Sequence, residues 1–210
     1  MKRFLRYFRR FLFVCAISLL TYCGYVLIDS WMFQRAASYQ FQQSLTLPNE
    51  LAPHKPAPAA PAGLIGRIEI PRLGVSVIVI EGTSRTILGR AAGHIAGTAL
   101  PGQQGNIGIS AHRDTFFRPL RNIRPNDTIT LTTLAGEYRY HVVSTQIVSP
   151  SDVGVLKSGD DQTLTLVTCY PFYFVGPAPN RFIVRAALSL FLPDEERRLS
   201  ENLAVPRVSR

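Results

Sequence analysis

Phe11 to Ile28 reads FLFVCAISLLTYCGYVLI, eighteen residues without a charge. In hydrocarbon a spanning backbone finds no partner but itself, so a lone apolar run of this length crosses a membrane only as a helix. At 1.5 Å per residue it measures about 27 Å, close to the roughly 30 Å of a bilayer's apolar layer. Lys2, Arg3, Arg6, Arg9 and Arg10 precede it, and Asp29 and Trp31 follow. The positive-inside rule then places residues 1–10 in the cytoplasm, 11–28 in the bacterial cell membrane as a single-pass signal anchor, and the rest on the extracytoplasmic side. A cleaved signal peptide is the competing reading. Its apolar core is about 7–15 residues long and ends at a small-residue site. Here the run is longer, and only Ala36-Ala37-Ser38 offers anything like a cleavage site, so a retained anchor is expected.

The five N-terminal cations account for more than half of the formal charge of +9. The remainder is scattered without a basic stripe or zinc-knuckle spacing, which leaves no electrostatic footprint for nucleic acid. A hydrophobic content of 46% excludes wholesale disorder. Residues 29–63 form a juxtamembrane segment, able to extend the helix through residue 47, and a stretch from Pro48 to Gly63 with five prolines. Proline at that density removes backbone donors and favours an extended spacer, which would hold a folded domain away from the lipid. His54 within it reads as a solvated linker residue.

A folded domain over residues 64–190 follows. IGRIEI (65–70), VSVIVIEG (75–82), NIGISAH (106–112), DTITLTTL (127–134), YRYHVVSTQIV (138–148), TLTLVTC (163–169) and RFIVRAALSL (181–190) are rich in β-branched residues and bounded by turn formers. Ala135-Gly136-Glu137 marks a hairpin. Only stretches near 84–91 and 150–158 look helical. Seven or more short strands without intervening long helices predict an all-β antiparallel barrel or sandwich. The charged tail, 191–210, is expected to be loosely ordered.

Cys15 and Cys23 lie in the membrane run, so Cys169 is the sole cysteine of the outer domain and has no partner there for a disulfide. It ends the strand TLTLVTC. Three prolines and turn residues in YPFYFVGPAPN (170–180) then return the chain as the strand beginning at Arg181. A hairpin of this kind brings thiol and guanidinium to one rim. His112 also closes a strand, NIGISAH, ahead of the loop RDTFFRPLRNI. A thiolate can attack a carbonyl, a cationic neighbour favours the thiolate, fixed guanidinium donors stabilise an oxyanion, and an imidazole protonates a leaving amine. Each residue also has an ordinary reading: a buried thiol, a loop histidine, a surface arginine. By composition alone His94 and His141 compete with His112.

Taken together these segments resemble the sortase family. Thr165-Leu166-Val167-Thr168-Cys169 is similar to the sortase signature TLxTC, residues 94–123 resemble the family's histidine region, notably in class D, and Arg181 in NRFIVRA matches an arginine opening the last strand. The resemblance covers roughly residues 64–190. It implies an eight-stranded sortase-type β-barrel with short helices behind one transmembrane helix. It further implies a cysteine transpeptidase that cleaves a Leu-Pro-x-Thr-Gly-like sorting motif through a thioacyl-enzyme. Cys169 would be the nucleophile, His112 the proton donor and acceptor, and Arg181 the oxyanion partner; His94 and Thr168 would play supporting or substrate-binding roles. Partners would be proteins with a C-terminal sorting signal and an amine acceptor, such as a peptidoglycan precursor or a pilin-like protein. Free thiols and imidazoles titrate near about 8.5 and about 6.5, so such a pair predicts a slow enzyme with a bell-shaped pH profile.

No cofactor is implied. Some sortases bind calcium through clustered acids, but residues 149–162 offer only Asp152, Asp160 and Asp161, so no metal is expected. Three rivals stand beside this reading: a cysteine hydrolase or L,D-transpeptidase, whose usual Ser-His-Gly-Cys run is absent; a membrane-held binding protein with an incidental thiol; and a sortase-like fold that only hydrolyses. The aromatics Phe172, Tyr173 and Phe174 serve equally as part of a substrate groove or as rim packing.

Overall fold

The computed structural model describes residues 2–46 and 63–193. It opens with one continuous helix, α1 (Lys2–Thr46), of 45 residues. The apolar run and the mixed segment after it therefore form a single rod about 67 Å long. The N-terminal part is long and apolar enough to cross a membrane, and none of its most apolar window is buried. The outer part behaves differently. Asp29, Phe33, Ala37, Phe41 and Leu45 recur every four residues and so share one helix face. Ala37, Phe41 and Leu45 on that face are buried, although the rest of the helix is largely exposed.

The remaining elements are β1 (Leu64–Ile70), a 3₁₀ turn (Pro71–Leu73), β2 (Val75–Glu81), α2 (Arg85–Leu88), β3 (Ala92–His94), β4 (Asn106–Ser110), a 3₁₀ turn (Arg118–Asn122), β5 (Thr128–Thr132), β6 (Gly136–Val148), a 3₁₀ turn (Val153–Leu156), β7 (Thr163–Tyr170) and β8 (Asn180–Pro193). The eight strands close into a barrel in the order β1-β2-β3-β4-β7-β8-β6-β5. This is the all-β barrel that the strand pattern and the resemblance predict. Most neighbours are antiparallel; β2 with β3 and β4 with β7 are parallel.

Period-two alternation fills the interior. Ile68 and Ile70, Val77 and Val79, Ile107 and Ile109, Ile129 and Leu131, and Leu164 and Leu166 point inward into one core with Tyr140 and Val184. Each fully buried aliphatic side chain contributes about 1.5–3 kcal/mol. β2 departs from alternation because it is covered on both sides. Val77 and Val79 face the interior, while Ile78 and Ile80 face outward into a second cluster with Ala37, Phe41, Leu45 and Ala91. That double coverage explains the unbroken apolar run VSVIVI.

Two features escaped the strand pattern. β3 has only three residues, too few for a periodic signal. Its Gly93 runs so close to the next segment that an added Cβ would sit 2.2 Å from the Gly82 carbonyl oxygen. The last strand also continues to Pro193, past the expected edge at 190. The helical stretches near 84–91 and 150–158 shrink to α2 and one 3₁₀ turn.

Residues 47–62, almost all of the expected spacer, and 194–210, most of the expected tail, lie outside the described residues, as does His54. The chain on either side of the proline-rich segment meets in one place: Leu45 belongs to the outer cluster, and Leu64 packs against it.

Candidate active site

The site is built by three adjacent strands. β4 and β7 run parallel with Asn106 opposite Thr163 and Ser110 opposite Val167. The backbone contact continues one step further, where the Ala111 N–H donates to the Val167 carbonyl at 3.2 Å. Carrying the same offset on, His112 stands level with Cys169. On the other side β7 pairs antiparallel with β8, and Cys169 is directly opposite Arg181. Cys169 and Arg181 are thus a direct cross-strand pair, and His112, expected to close its strand, lies two residues past the end of β4 on the offset that leads to Cys169. Residues level with one another in a sheet project to the same face, with neighbouring strands about 4.8 Å apart.

That face is the outside of the barrel. Leu164 and Leu166 belong to the interior core, so Cys169, odd in number on the same strand, points outward. Cys169 and Arg181 are partly exposed and His112 is exposed, which leaves the thiol open to a substrate. The Arg181 guanidinium donates through Nη1 to the Ala178 carbonyl at 3.2 Å and to its neighbour Asn180 at 3.0 Å. These bonds hold its head at the mouth of the 171–179 loop, next to the thiol's strand.

Three hydrogen bonds bracket the His112–Cys169 step. The Ala111 N–H bond is the first. The Thr168 hydroxyl, almost wholly buried, donates to the Ala111 carbonyl at 2.8 Å. Arg113, also buried, donates through Nη1 to the Pro171 carbonyl at 2.8 Å and pairs through Nε with Asp114 at 3.1 Å. The His112 carbonyl itself accepts from the Phe117 N–H at 3.2 Å, which closes the following turn. Residues flanking the histidine are thus tied to residues flanking the cysteine.

Thr168 accordingly faces the interior, away from the thiol's side of the strand, and its hydroxyl is engaged by the backbone. Its place is beneath the site, not within it. His94 is also set apart. It lies on β3 opposite Ile109, three residues or about 10 Å back from His112. Its buried ring bridges the Glu81 carboxylate, 2.7 Å from Nδ1, and the Ala99 carbonyl, 3.0 Å from Nε2. Thr98 Oγ1 lies 3.0 Å from the same Nε2 and accepts from the Gly108 N–H. His94 therefore holds the 95–99 loop against β4 and does not meet Cys169. His141 is on β6, 3.5 Å from the Thr128 hydroxyl, in another part of the barrel.

The aromatics after the cysteine divide. Phe172 is buried and stacks edge-on against Phe182 with centroids 5.2 Å apart. Tyr173, Phe174 and Val175 are exposed, with the Tyr173 hydroxyl accepting from Arg121 at 2.7 Å. Rim packing and an exposed apolar lip are thus both present in one loop. Among the described residues no group of three or more His, Cys, Asp or Glu is placed to hold a metal. Asp152 accepts from the Gly154 N–H at 3.1 Å and caps its 3₁₀ turn.

Arg113 is the residue that the sequence reading passed over. Its adjacency to His112 was visible, but the Pro171 carbonyl it reaches is 58 positions away.

A sortase-domain family model matches residues 68–189, more than half of the chain. The chain belongs to the sortase family. Sortase D of Bacillus subtilis is 36% identical over 120 residues, 57% of this chain and 61% of that protein. Sortase A of Listeria monocytogenes is 30% identical over 110 residues, 50% of this chain and 49% of that one. The chain thus aligns with only about half to three-fifths of these relatives' lengths. Among solved structures, the Clostridium perfringens Sortase D5 transpeptidase superposes with a TM-score of 0.63 at 28% identity, covering 76% of this chain and 99% of that one. Class D sortases are thus similar to this chain in both sequence and fold, and the N-terminal apolar helix suits a membrane anchor.

Proposed function

We propose that this protein is a membrane-anchored cysteine transpeptidase that cuts a Leu-Pro-x-Thr-Gly-like sorting motif and transfers the acyl half to an amine. The observation that carries the proposal is the direct pairing of Cys169 with Arg181 on an open outer face, with His112 just past the end of the neighbouring strand β4. In the first step the Cys169 sulfur attacks the threonine carbonyl, and the developing oxyanion is met by the Arg181 guanidinium. The carbon–nitrogen bond breaks as His112 protonates the leaving amine, and a thioester to Cys169 remains. In the second step an amine attacks the thioester. His112 takes a proton from the incoming nitrogen, the carbon–sulfur bond breaks, and a new amide leaves. Family membership supports this order of events, as does the similarity to the Clostridium perfringens Sortase D5 transpeptidase.

The acceptor is an amine on a peptidoglycan precursor or on a pilin-like protein, and the donor is a protein with a C-terminal sorting signal. With α1 in the cell membrane, the basic N-terminus is cytoplasmic and the barrel extracytoplasmic. Intact mass of the full chain in detergent, incubated with Leu-Pro-x-Thr-x peptides, tests the first step. A mass increase equal to the acyl fragment is expected on the native protein and not on Cys169→Ala. Cleavage by Cys169→Ala at the native rate would refute the assignment of the nucleophile.

A further inference from the structure

We propose that the outer half of α1 is a rigid strut that fixes Cys169 at a set height above the bilayer. The contact is built at three points along about 24 Å of helix, the rise from Asp29 to Leu45. At the membrane end the Asp29 carboxylate accepts from Arg90 Nε at 2.7 Å and Nη2 at 3.1 Å. In the middle the Gln34 amide bridges β2 and the turn before β3: Nε2 donates to the Arg90 carbonyl at 2.6 Å, and Oε1 accepts from the Ile78 N–H at 3.1 Å. Further out Phe41 is wholly buried beside Ile78 and Ile80, with the Arg67 guanidinium 5.9 Å from its ring. The helix therefore crosses the outer face from the turn before β3, over β2, to β1. Contacts to two neighbouring strands and to the turn before a third fix both its direction and its rotation.

This contact lies beside the catalytic residues. Gly93 pairs with Ser110 and His94 with Ile109, so continuing the register puts Ala91 level with His112. Ala91 is itself buried in the helix contact. The order across the barrel is then helix contact at Ala91, His112, Cys169, Arg181. The path from the Asp29 carboxylate to Cys169, two strand spacings, one residue step and an extended arginine, sums to about 20 Å, which bounds the distance of the thiol from the membrane end of the contact. Asp29 is the first charged residue after the apolar run, so it marks the hydrocarbon edge. The proline-rich segment cannot set this height, because the chain before and after it, at Leu45 and Leu64, already meets in one cluster.

The consequence deepens the transpeptidase reading and rests on it and on α1 spanning the bilayer. A thiol held at one height within about 20 Å of the hydrocarbon edge takes carbonyls and amines presented at that height, by donors and acceptors that are themselves membrane-held. A scissile bond delivered from solution gains nothing from the strut.

The test uses the full chain in lipid nanodiscs, with Cys15→Ser and Cys23→Ser leaving Cys169 as the single thiol for a spin label. Distances are read from Cys169 to spin-labelled lipid headgroups. One narrow population is expected, with its nearest approach no more than about 20 Å. Inserting ten Gly/Ser residues between Ala57 and Pro58 should leave that distribution unchanged, whereas Gln34→Ala with Phe41→Asp should broaden and lengthen it. A broad native distribution, or one that lengthens with the insertion, would overturn the strut. The same variants, unlabelled and in vesicles, are assayed on soluble Leu-Pro-x-Thr-x peptides and on ones anchored in the same membrane. The double variant should lose at least tenfold on the anchored peptide alone; equal losses on both would overturn the proposed role of height. No turnover of either peptide by the native protein would instead sink the transpeptidase reading, and the distances would still judge the strut.

Discussion

Thr168→Val isolates what the bonds beneath the site contribute. Valine keeps the volume and β-branching of threonine, so the interior packing beside Phe182 is preserved. What disappears is the hydroxyl donor to the Ala111 carbonyl, a bond of 2.8 Å in a buried environment. The carbonyl loses its side-chain donor in a place where water does not replace it. A buried group left without its partner costs about 1–3 kcal/mol. In a domain of this size each kcal/mol lowers the thermal midpoint by about 4 °C. A second loss should appear in catalysis. Ala111 precedes His112, and a displacement of about 1 Å in a reacting group costs up to roughly a hundredfold in rate. The expected result is therefore a lowered midpoint and a kcat reduced about tenfold or more, with KM for the peptide little changed. Thr168→Ser retains the donor and should restore most of kcat. Near-ultraviolet circular dichroism follows unfolding, and peptide cleavage at saturating substrate gives kcat. If Thr168→Val loses stability but cleaves at the native rate, the bracket stabilises the fold without positioning His112, and the reasoning fails.

Arg113→Lys keeps the charge but loses the planar fork that reaches Asp114 and the Pro171 carbonyl together; kcat should fall more than for Asp114→Asn, and equal values would contradict the bracket. The Arg72 guanidinium hydrogen-bonds Asp127 and holds its carboxyl below the usual range, with the Arg124 N–H assisting. A carboxyl depressed in the folded state contributes stability above its unfolded value of about 3.9, lost as pH falls through the lower folded value. Denaturation midpoints between pH 2 and 7 should accordingly fall less steeply on acidification for Asp127→Asn than for the native chain. Gly93→Ala places a methyl against the Gly82 carbonyl, with a 2.2 Å approach that backbone must relieve. It should cost about 1–3 kcal/mol or more, and a native thermal midpoint would show that β3 shifts freely.

The barrel was legible where strands were long enough to show period two. TLTLVTC and RFIVRAALSL, joined by a turn-rich connection, placed Cys169 and Arg181 at one rim, and the register pairs them directly. His112 could be placed at a strand end but not beside Cys169, because the β4–β7 contact is parallel and joins segments 57 positions apart. No local pattern encodes that pairing. Thr168 and His94 matched family positions, yet which face of a strand they occupy and what they bond is decided by closure of the barrel. The helix contact was partly legible: Phe33, Ala37, Phe41 and Leu45 carry a four-residue period. The polar residues between them masked it, and the proline-rich stretch that follows suggested separation where the structure shows contact.

The central claim is that a thioacyl group on Cys169 is passed to an amine. Single-turnover partitioning tests it most directly: the full chain is loaded with a Leu-Pro-x-Thr-x peptide, and the products are resolved by mass with increasing amounts of an added amine. The account predicts amide product rising with amine at the expense of free acid, both formed from the same Cys169 adduct and both absent in Cys169→Ala. Free acid alone at every amine concentration would make the protein a hydrolase and contradict the account.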